Sequence, residues 1–280
     1  MRNGVFTLLF TVLLLPQPAA ACVTASAAPE VAGTATAAPP QVTEAAPASA
    51  RVWQGREVEF EAFIASAPID RFEDIPVGVT HPRRAFFKPG GLADSVAWKV
   101  LPTGRPNGYW ESYKSEIAAY ELDKCLGLGM VPVAVEKQWK HEVGAAILWL
   151  SPVRSWKDVQ FRPKPPSWDL QMIRMKMFDN LVGNSDRNLG NLLVDASWNV
   201  FLIDHSRAFV TSKNLPAKFM HIDRSLWMRM RALDEAAVNA AIGKWVDRAA
   251  VQALLARRDR LGTAIEALVR KNGEGAVFVN

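Results

Sequence analysis

The sequence predicts an α+β fold with two lobes, a strand-rich first half with one helix and a mostly helical second half. Short apolar runs separated by turn residues fill residues 77–150, and helical periodicity dominates the remainder. A polar segment at residues 184–191 joins the two halves and contains the strongest candidates for chemistry. We therefore expect residues 51–280 to form one domain, with lobes at about 51–150 and 151–280.

The first 21 residues are typical of a signal peptide. Arg2 supplies a positive charge, and residues 5–15 form a mostly apolar run that is too short to span a ~30 Å hydrocarbon core. Small residues from Ala19 to Ala21 then offer a cleavage site. Cys22 follows directly, which suggests a lipoprotein signal and a lipid anchor at this thiol. We expect an exported, periplasmic or otherwise extracytoplasmic protein that contacts the membrane only through Cys22.

Residues 22–50 are rich in Ala, Pro and Thr and carry very few charges. A segment without large apolar side chains cannot offset the entropy lost on ordering, so it predicts a disordered linker. The chain contains two cysteines, Cys22 and Cys125. Lipidation or removal of Cys22 would therefore leave no internal disulfide.

Composition and charge exclude several classes of protein. Hydrophobic residues make up 49% and charged residues 22% of the chain, which is globular composition. The net charge of +5 suits an anionic ligand such as a nucleotide. The basic residues are dispersed, however, so we expect no nucleic-acid partner. A P-loop motif is absent, and His141-Glu142 lacks the second histidine of a zinc-protease helix.

The elements of the first lobe are predicted from apolar runs and the turns between them. Apolar positions at Tyr113, Ile117 and Tyr120 have helical spacing, and Gly127 and Gly129 end that helix. In chain order we expect a strand at 85–87, a turn at 89–91, a strand at 95–100, a helix at 110–126 and paired strands at 131–139 and 143–150.

The elements of the second lobe follow a proline-rich loop. Its first helix is rich in Met and Phe, which predicts that it is mostly buried. In chain order we expect a helix at 169–181, short strands at 191–194 and 200–203 around a turn, and closing helices at about 233–246 and 248–271.

Three polar residues at the junction of the lobes predict phosphoryl-transfer chemistry. In protein kinases a catalytic Asp precedes a metal-binding Asn by five residues, and a metal-binding Asp follows on a strand. Here Asp186 precedes Asn191 by five positions, and Asp204 ends an apolar strand. Asp and Asn near glycine are ordinarily turn formers. The order of buried helix, polar loop, short strand, tight turn and apolar strand favours a phosphotransferase site instead.

Residues 178–187 and 203–209 resemble the active-site segments of a family of secretory-pathway kinases, the four-jointed and Golgi casein kinase family. They also resemble its bacterial relatives and, more distantly, HipA-type and phosphoinositide kinases. The helix at 115–124, followed by Val131-Pro132, is similar to the helix of the first lobe in that family. The resemblance is strong over residues 75–210, and it implies a two-lobed protein-kinase-like fold.

The resemblance also implies roles for the residues at the junction. Asp186 would be the catalytic base, and Asp204 and Asn191 would bind Mg²⁺ or Mn²⁺. The implied cofactor is ATP, and the implied acceptor is a hydroxyl group of a protein, a glycan or a lipid.

The nucleotide-binding residues are predicted in the first lobe. The resemblance implies that Lys99 binds phosphate, with Lys88 as the competing candidate, and that Glu116 faces the nucleotide and pairs with the lysine or touches metal. Exposed Lys and Glu side chains are the ordinary alternative for such residues. Gly90 and Gly91 are the weak counterpart of the glycine-rich loop that covers the phosphates in ordinary kinases.

Three functions remain open at this point. The first is an exported, ATP- and metal-dependent phosphotransferase. The second is a pseudokinase that binds a partner or a nucleotide without turnover, and the presence of Asp186, Asn191 and Asp204 together argues against it. The third is nucleotidyl transfer from ATP by the same site, which the sequence does not separate from phosphoryl transfer.

Overall fold

The computed structural model describes residues 49–75, 82–105 and 108–279. The predicted signal peptide, most of the predicted linker and the start of the predicted strand region at residue 77 lie outside these ranges. Near the start of the first described range, Ala50 contacts the second half of the chain. The backbone N–H of Ala50 donates to Oδ2 of Asp195 at 3.0 Å, and Ala50 is buried. Within the described ranges, no helix has the length and apolar character needed to cross a membrane.

An antiparallel five-stranded sheet with the order β1-β2-β3-β5-β4 forms the first half. Its strands are β1 (Ile69–Asp74), β2 (Arg83–Phe87), β3 (Ser95–Lys99), β4 (Ala134–Trp139) and β5 (Glu142–Leu148). The sequence does not predict β1, because most of its residues are charged and it has no buried position. On one face of β3, the side chains of Val96 and Trp98 are buried in the core, and Lys99 lies on the opposite face.

Two helices flank this sheet, although the sequence predicts one. The predicted helix is α2 (Tyr113–Leu126), which packs against β4 and β5. The additional helix is α1 (Glu57–Ser66), in which only Phe60 and Ile64 are buried, so its sequence has little helical periodicity. Lys137 on β4 fixes the end of α1, since its Nζ donates to three backbone carbonyl groups there.

Local capping sets the limits of α2. The hydroxyl of Ser112 accepts a hydrogen bond from the backbone N–H of Lys114, so the helix begins at Tyr113 rather than at residue 110. Gly127 ends the helix in the left-handed conformation, with a φ of 57°. These caps place Glu116 in the first turn of the helix.

Asp123 fixes the connection that leads from α2 to β4. It is buried and accepts hydrogen bonds from the backbone N–H groups of Gly129, Met130 and Val131, each at 2.9 Å. Burial raises the pKa of Asp123 to about 6, against the lowering effect of these hydrogen bonds. The carboxylate therefore holds the turn in place.

Replacing Asp123 with alanine should lower the free energy of unfolding by about 3 kcal/mol, because three buried N–H groups lose their acceptor. Urea unfolding at neutral pH measures this loss. Asp123→Asn keeps one acceptor oxygen, so its free energy of unfolding should fall by less than that of Asp123→Ala. Asp259→Ala removes an exposed carboxylate and should change the stability by less than about 0.5 kcal/mol. A loss below about 1 kcal/mol in Asp123→Ala would contradict this role.

The second half is mostly helical. Its helices are α3 (Trp156–Val159), α4 (Ser167–Val182), α5 (Arg224–Ala232), α6 (Glu235–Ile242), α7 (Arg248–Asn272) and α8 (Glu274–Val277). Its short strands are β6 (Arg154–Ser155), β7 (Leu192–Val194), β8 (Val200–Leu202), β9 (Ile222–Asp223) and β10 (Phe278–Val279). The sequence does not predict α5, in which only Leu226 and Met230 are buried. The predicted α+β fold, with a strand-rich half followed by a helical half, is confirmed.

The segment from α4 to β8 positions the predicted site. α4 ends at Gly183 with a φ of 71°, and a Cβ atom there would lie 2.8 Å from the guanidinium carbon of Arg257. The chain then passes through Asp186 and a 3₁₀ turn that ends at Asn191. β7 pairs antiparallel with β8. The residue before β7 and Asp204, shortly after β8, therefore lie at the same end of the hairpin.

Candidate active site

A lysine and two carboxylates from three distant parts of the chain meet between the lobes. Nζ of Lys99, at the end of β3, lies 2.6 Å from Oε1 of Glu116 on α2 and 2.8 Å from Oδ1 of Asp204. The side chain of Lys99 is 8% exposed and that of Glu116 is 3% exposed, whereas that of Asp204 is 33% exposed. The cluster is therefore buried on the helix side and open at Asp204.

The charges in this cluster stabilise one another. Burial disfavours the ammonium group of Lys99, but the carboxylates of Glu116 and Asp204 outweigh burial and raise its pKa. Burial also acts to raise the pKa of Asp204, but Lys99 and the Ser206 hydroxyl outweigh it and lower that pKa to about 2. At neutral pH Lys99 is therefore a cation and Asp204 an anion, as phosphate and metal binding require.

Asp204 and Asn191, the two predicted metal ligands, each have a side-chain oxygen that accepts no hydrogen bond within the described residues. Oδ1 of Asp204 accepts hydrogen bonds from Lys99 and Ser206, and within the described residues Oδ2 accepts none. The φ of Asp204 is 61°, and such left-handed non-glycine residues cluster at functional sites. Nδ2 of Asn191 donates to the backbone carbonyl of Asp186, and within the described residues its Oδ1 accepts no hydrogen bond. Carboxylate and amide oxygens suit Mg²⁺ or Mn²⁺ that is shared with phosphates.

The loop that carries Asp186 is held by the buried carboxylate of Asp179. Oδ1 of Asn184 accepts a hydrogen bond from the backbone N–H of Asp186 at 3.1 Å. Nδ2 of Asn184 in turn donates to Asp179, and Arg187 donates to both oxygens of that carboxylate. The side chain of Asp186 is 42% exposed. The backbone of the loop is therefore fixed, while the carboxylate of Asp186 is accessible.

Arg187 and His205 connect this loop to Glu116. Nη1 of Arg187 donates to the carbonyl of Ile203, and its Nη2 lies 2.8 Å from Nε2 of His205. The backbone N–H of His205 donates to Oε2 of Glu116 at 2.9 Å. Burial and the nearby Arg187 hold the pKa of His205 well below its usual value, so His205 is neutral at pH 7. These contacts make His205 a hydrogen-bonding residue between the loop and Glu116.

Arg207 is the second arginine at this junction. Its guanidinium group pairs with Glu111 at 2.8 Å and with Asp186 at 3.3 Å. The sequence interpretation assigns no role to Arg187, Arg207, Glu111 or Asp179. Three of these residues could have been suspected, since Asp179, Arg187 and Arg207 belong to the segments at 178–187 and 203–209 that carry the family resemblance.

Lys99, rather than the competing candidate Lys88, lies in the charged cluster. Lys88 follows β2 and is exposed, whereas Lys99 is buried against Glu116. The sequence contains a signal for this choice. Val96-Ala97-Trp98-Lys99 matches the V-A-I-K pattern of the third kinase strand at three positions, including the lysine.

The structure does not bring Gly90 and Gly91 to this cluster. They lie in the turn between β2 and β3, whereas Lys99 ends β3, and the extended strand between them spans roughly 13 Å. Gly91 contacts α1 instead, where a Cβ atom would come within 2.3 Å of the ring of Phe63. The start of β2 pairs with the end of β3. The turn with Gly90 and Gly91 therefore lies at the opposite end of β3 from Lys99, and it is misplaced for covering phosphates at this lysine.

Comparison with known proteins identifies the fold. No profile of a known protein family and no curated protein matches the chain. Among solved structures, the Golgi casein kinase with Mn/ADP bound shares 14% identity with a TM-score of 0.62, over 81% of this chain and 79% of that chain. Hydra Fam20 with sugar shares 16% identity with a TM-score of 0.63, over 79% and 91%. The predicted resemblance is thus confirmed at the level of the fold, and the chain has the two-lobed kinase-like fold of the Golgi casein kinase and hydra Fam20.

Proposed function

We propose that the protein is a phosphotransferase that moves the γ-phosphoryl group of metal-bound ATP to a hydroxyl group. The cluster of Lys99, Glu116 and Asp204 carries this proposal, because it pairs a fixed cation with a carboxylate that has one oxygen available. Phosphoryl transfer depends mainly on such positioning and on electrostatic stabilisation. The distant likeness to a kinase with Mn/ADP bound supports the same nucleotide and metal chemistry.

Each residue has one task in this proposal. Lys99 binds a phosphate oxygen, and Glu116 holds Lys99 in place through their 2.6 Å ion pair. Asp204 and Asn191 hold Mg²⁺ or Mn²⁺, which would neutralise the phosphate charge when bound. Asp186 orients the acceptor hydroxyl and accepts its proton, a role for which its carboxylate is accessible.

The proposed place of action is outside the cytoplasm. The signal-peptide pattern at residues 1–21 supports export, and Cys22 is the proposed site of a lipid anchor. The likeness to hydra Fam20 and the Golgi casein kinase is consistent with this placement. The acceptor is a hydroxyl group of a protein, a glycan or a lipid.

Incubation with ATP and Mg²⁺ or Mn²⁺, followed by mass spectrometry and separation of the nucleotide products, tests the reaction type. Phosphoryl transfer predicts ADP as the nucleotide product, and an adduct of one phosphoryl group where the protein itself is the acceptor. A parallel sample without metal should give neither. Pyrophosphate release and an adduct of one nucleotidyl group would show instead that the same site transfers the nucleotide.

A further inference from the structure

Arg207 connects Asp186 to a buried carboxylate that precedes α2. Its Nε and Nη2 donate to Oε1 of Glu111 at 3.0 and 2.8 Å, and its Nη1 donates to Oδ2 of Asp186 at 3.3 Å. The guanidinium carbon also lies 4.8 Å from the ring centroid of Tyr109. The side chain of Glu111 is 1% exposed, whereas that of Asp186 is 42% exposed. Arg207 thus reaches from a buried partner to an accessible carboxylate.

Backbone hydrogen bonds fix the position of Glu111, the buried partner of Arg207. The backbone of Glu111 exchanges two hydrogen bonds with Gly104, at 2.9 and 3.0 Å. The next residue, Ser112, donates from its backbone N–H to the carbonyl of Ser206 at 2.9 Å, directly before Arg207. A carboxylate as buried as that of Glu111 needs a cation beside it, and Arg207 is that cation. The Glu111 end of the bridge is therefore fixed.

At the Asp186 end of the bridge, Arg207 is the one hydrogen-bond partner of the carboxylate among the described residues. Asn184 holds the backbone N–H of Asp186, but within the described residues Arg207 is the partner of its side chain. The bond to Arg207 uses Oδ2. Oδ1 is then the oxygen that remains for an acceptor hydroxyl, and its direction depends on Arg207.

We propose that Arg207 is a positioning residue that holds Oδ2 of Asp186 so that Oδ1 faces the acceptor hydroxyl, with Glu111 as its anchor. This inference rests on the proposed phosphotransferase function. The planar fork of an arginine serves both carboxylates at once, whereas a lysine would offer only a point charge. Loss of this orientation lowers the rate of transfer without weakening the binding of ATP.

Four variants of Arg207 and Glu111 test the inference with γ-labelled ATP and Mn²⁺ or Mg²⁺. The assay follows label transferred to the protein's own hydroxyl groups and to water. Arg207→Gln should lower kcat roughly 10- to 100-fold, the range for loss of a residue that supports a functional side chain. The KM for ATP and the increase in Tm with ATP should be the same as in the wild type. Arg207→Lys should transfer faster than Arg207→Gln but more slowly than the wild type. Glu111→Gln should also transfer more slowly than the wild type. In the Asp186→Asn background, Arg207→Gln should have no further effect.

Arg224→Gln is the matched control, because Arg224 forms an exposed ion pair with Glu274 on the second lobe. An unchanged rate in Arg207→Gln would overturn the inference. Equal losses with and without Asp186 would do so as well, because they would show a structural role. Loss of the ATP melting shift would place Arg207 in the nucleotide site instead. If Arg207→Gln does not fold, the rate of Glu111→Gln is compared with and without Asp186→Asn instead. Wild-type protein that transfers no label overturns the proposed function, and this inference with it.

Discussion

Replacing Asp204 with alanine is expected to abolish the stabilisation that ATP and a divalent cation give to the wild-type protein. The side chain of Asp204 is 33% exposed and its Oδ1 accepts from Lys99, so its loss removes the proposed metal ligand beside that lysine. A ligand at a hundredfold excess over its Kd stabilises the folded state by about 2.7 kcal/mol. For a domain of this size that should raise the Tm of the wild type by roughly 5 to 10 °C. Thermal unfolding with and without nucleotide measures the difference.

Two further variants separate metal binding from folding in this experiment. Asp204→Asn keeps an oxygen that can accept from Lys99, so it should fold like the wild type and still show little shift. Asp259→Ala removes an exposed carboxylate far along the chain and should keep the full shift. A wild-type shift that survives in Asp204→Ala would contradict the assignment of Asp204 as the metal ligand.

Replacing Asp186 with asparagine should lower the rate of transfer by about 10²- to 10⁴-fold, the usual contribution of a positioned acid or base. The amide cannot accept the proton of the acceptor hydroxyl. Binding of ATP should be unaffected, because Asp186 lies outside the cluster formed by Lys99, Glu116 and Asp204. The measurement compares initial rates of label transfer at saturating ATP with the melting shift of the same protein.

Asp158→Asn is the matched control for this variant, because it makes the same chemical change at an exposed position on α3. It should transfer at the wild-type rate. Transfer by Asp186→Asn at a similar rate would mean that Asp186 has no part in the reaction. Loss of the ATP melting shift would mean that Asp186 binds metal or nucleotide rather than the acceptor.

The parts of the site that can be predicted from sequence are those that depend on residues close together in the chain. The spacing from Asp186 to Asn191 lies within one loop, and Asp204 ends the short hairpin that follows it. The helix of Glu116 is predicted from its apolar spacing and its end at Gly127, although the predicted start at residue 110 lies three residues before Tyr113. Each of these features depends on neighbours in the chain, so the sequence indicates them without knowledge of the tertiary structure.

The parts that cannot be predicted depend on contacts between distant segments. Arg207 and Glu111 are separated by 96 positions, and no local pattern links them. The position of Gly90 depends on the register of β2 against β3, which places this turn at the end of the sheet away from Lys99. α1 carries only two buried residues, so its periodicity is too weak to mark it.

The position of a bound manganese ion tests the central claim most directly. A crystal of the protein grown with Mn²⁺ and ADP should show an anomalous scattering peak within coordinating distance of Oδ2 of Asp204 and of a phosphate oxygen. Lys99 should contact the phosphates while it keeps its ion pair with Glu116. A manganese peak and a nucleotide located elsewhere on the protein would contradict the account. So would a nucleotide bound beside this cluster whose phosphates point away from Lys99 and Asp204.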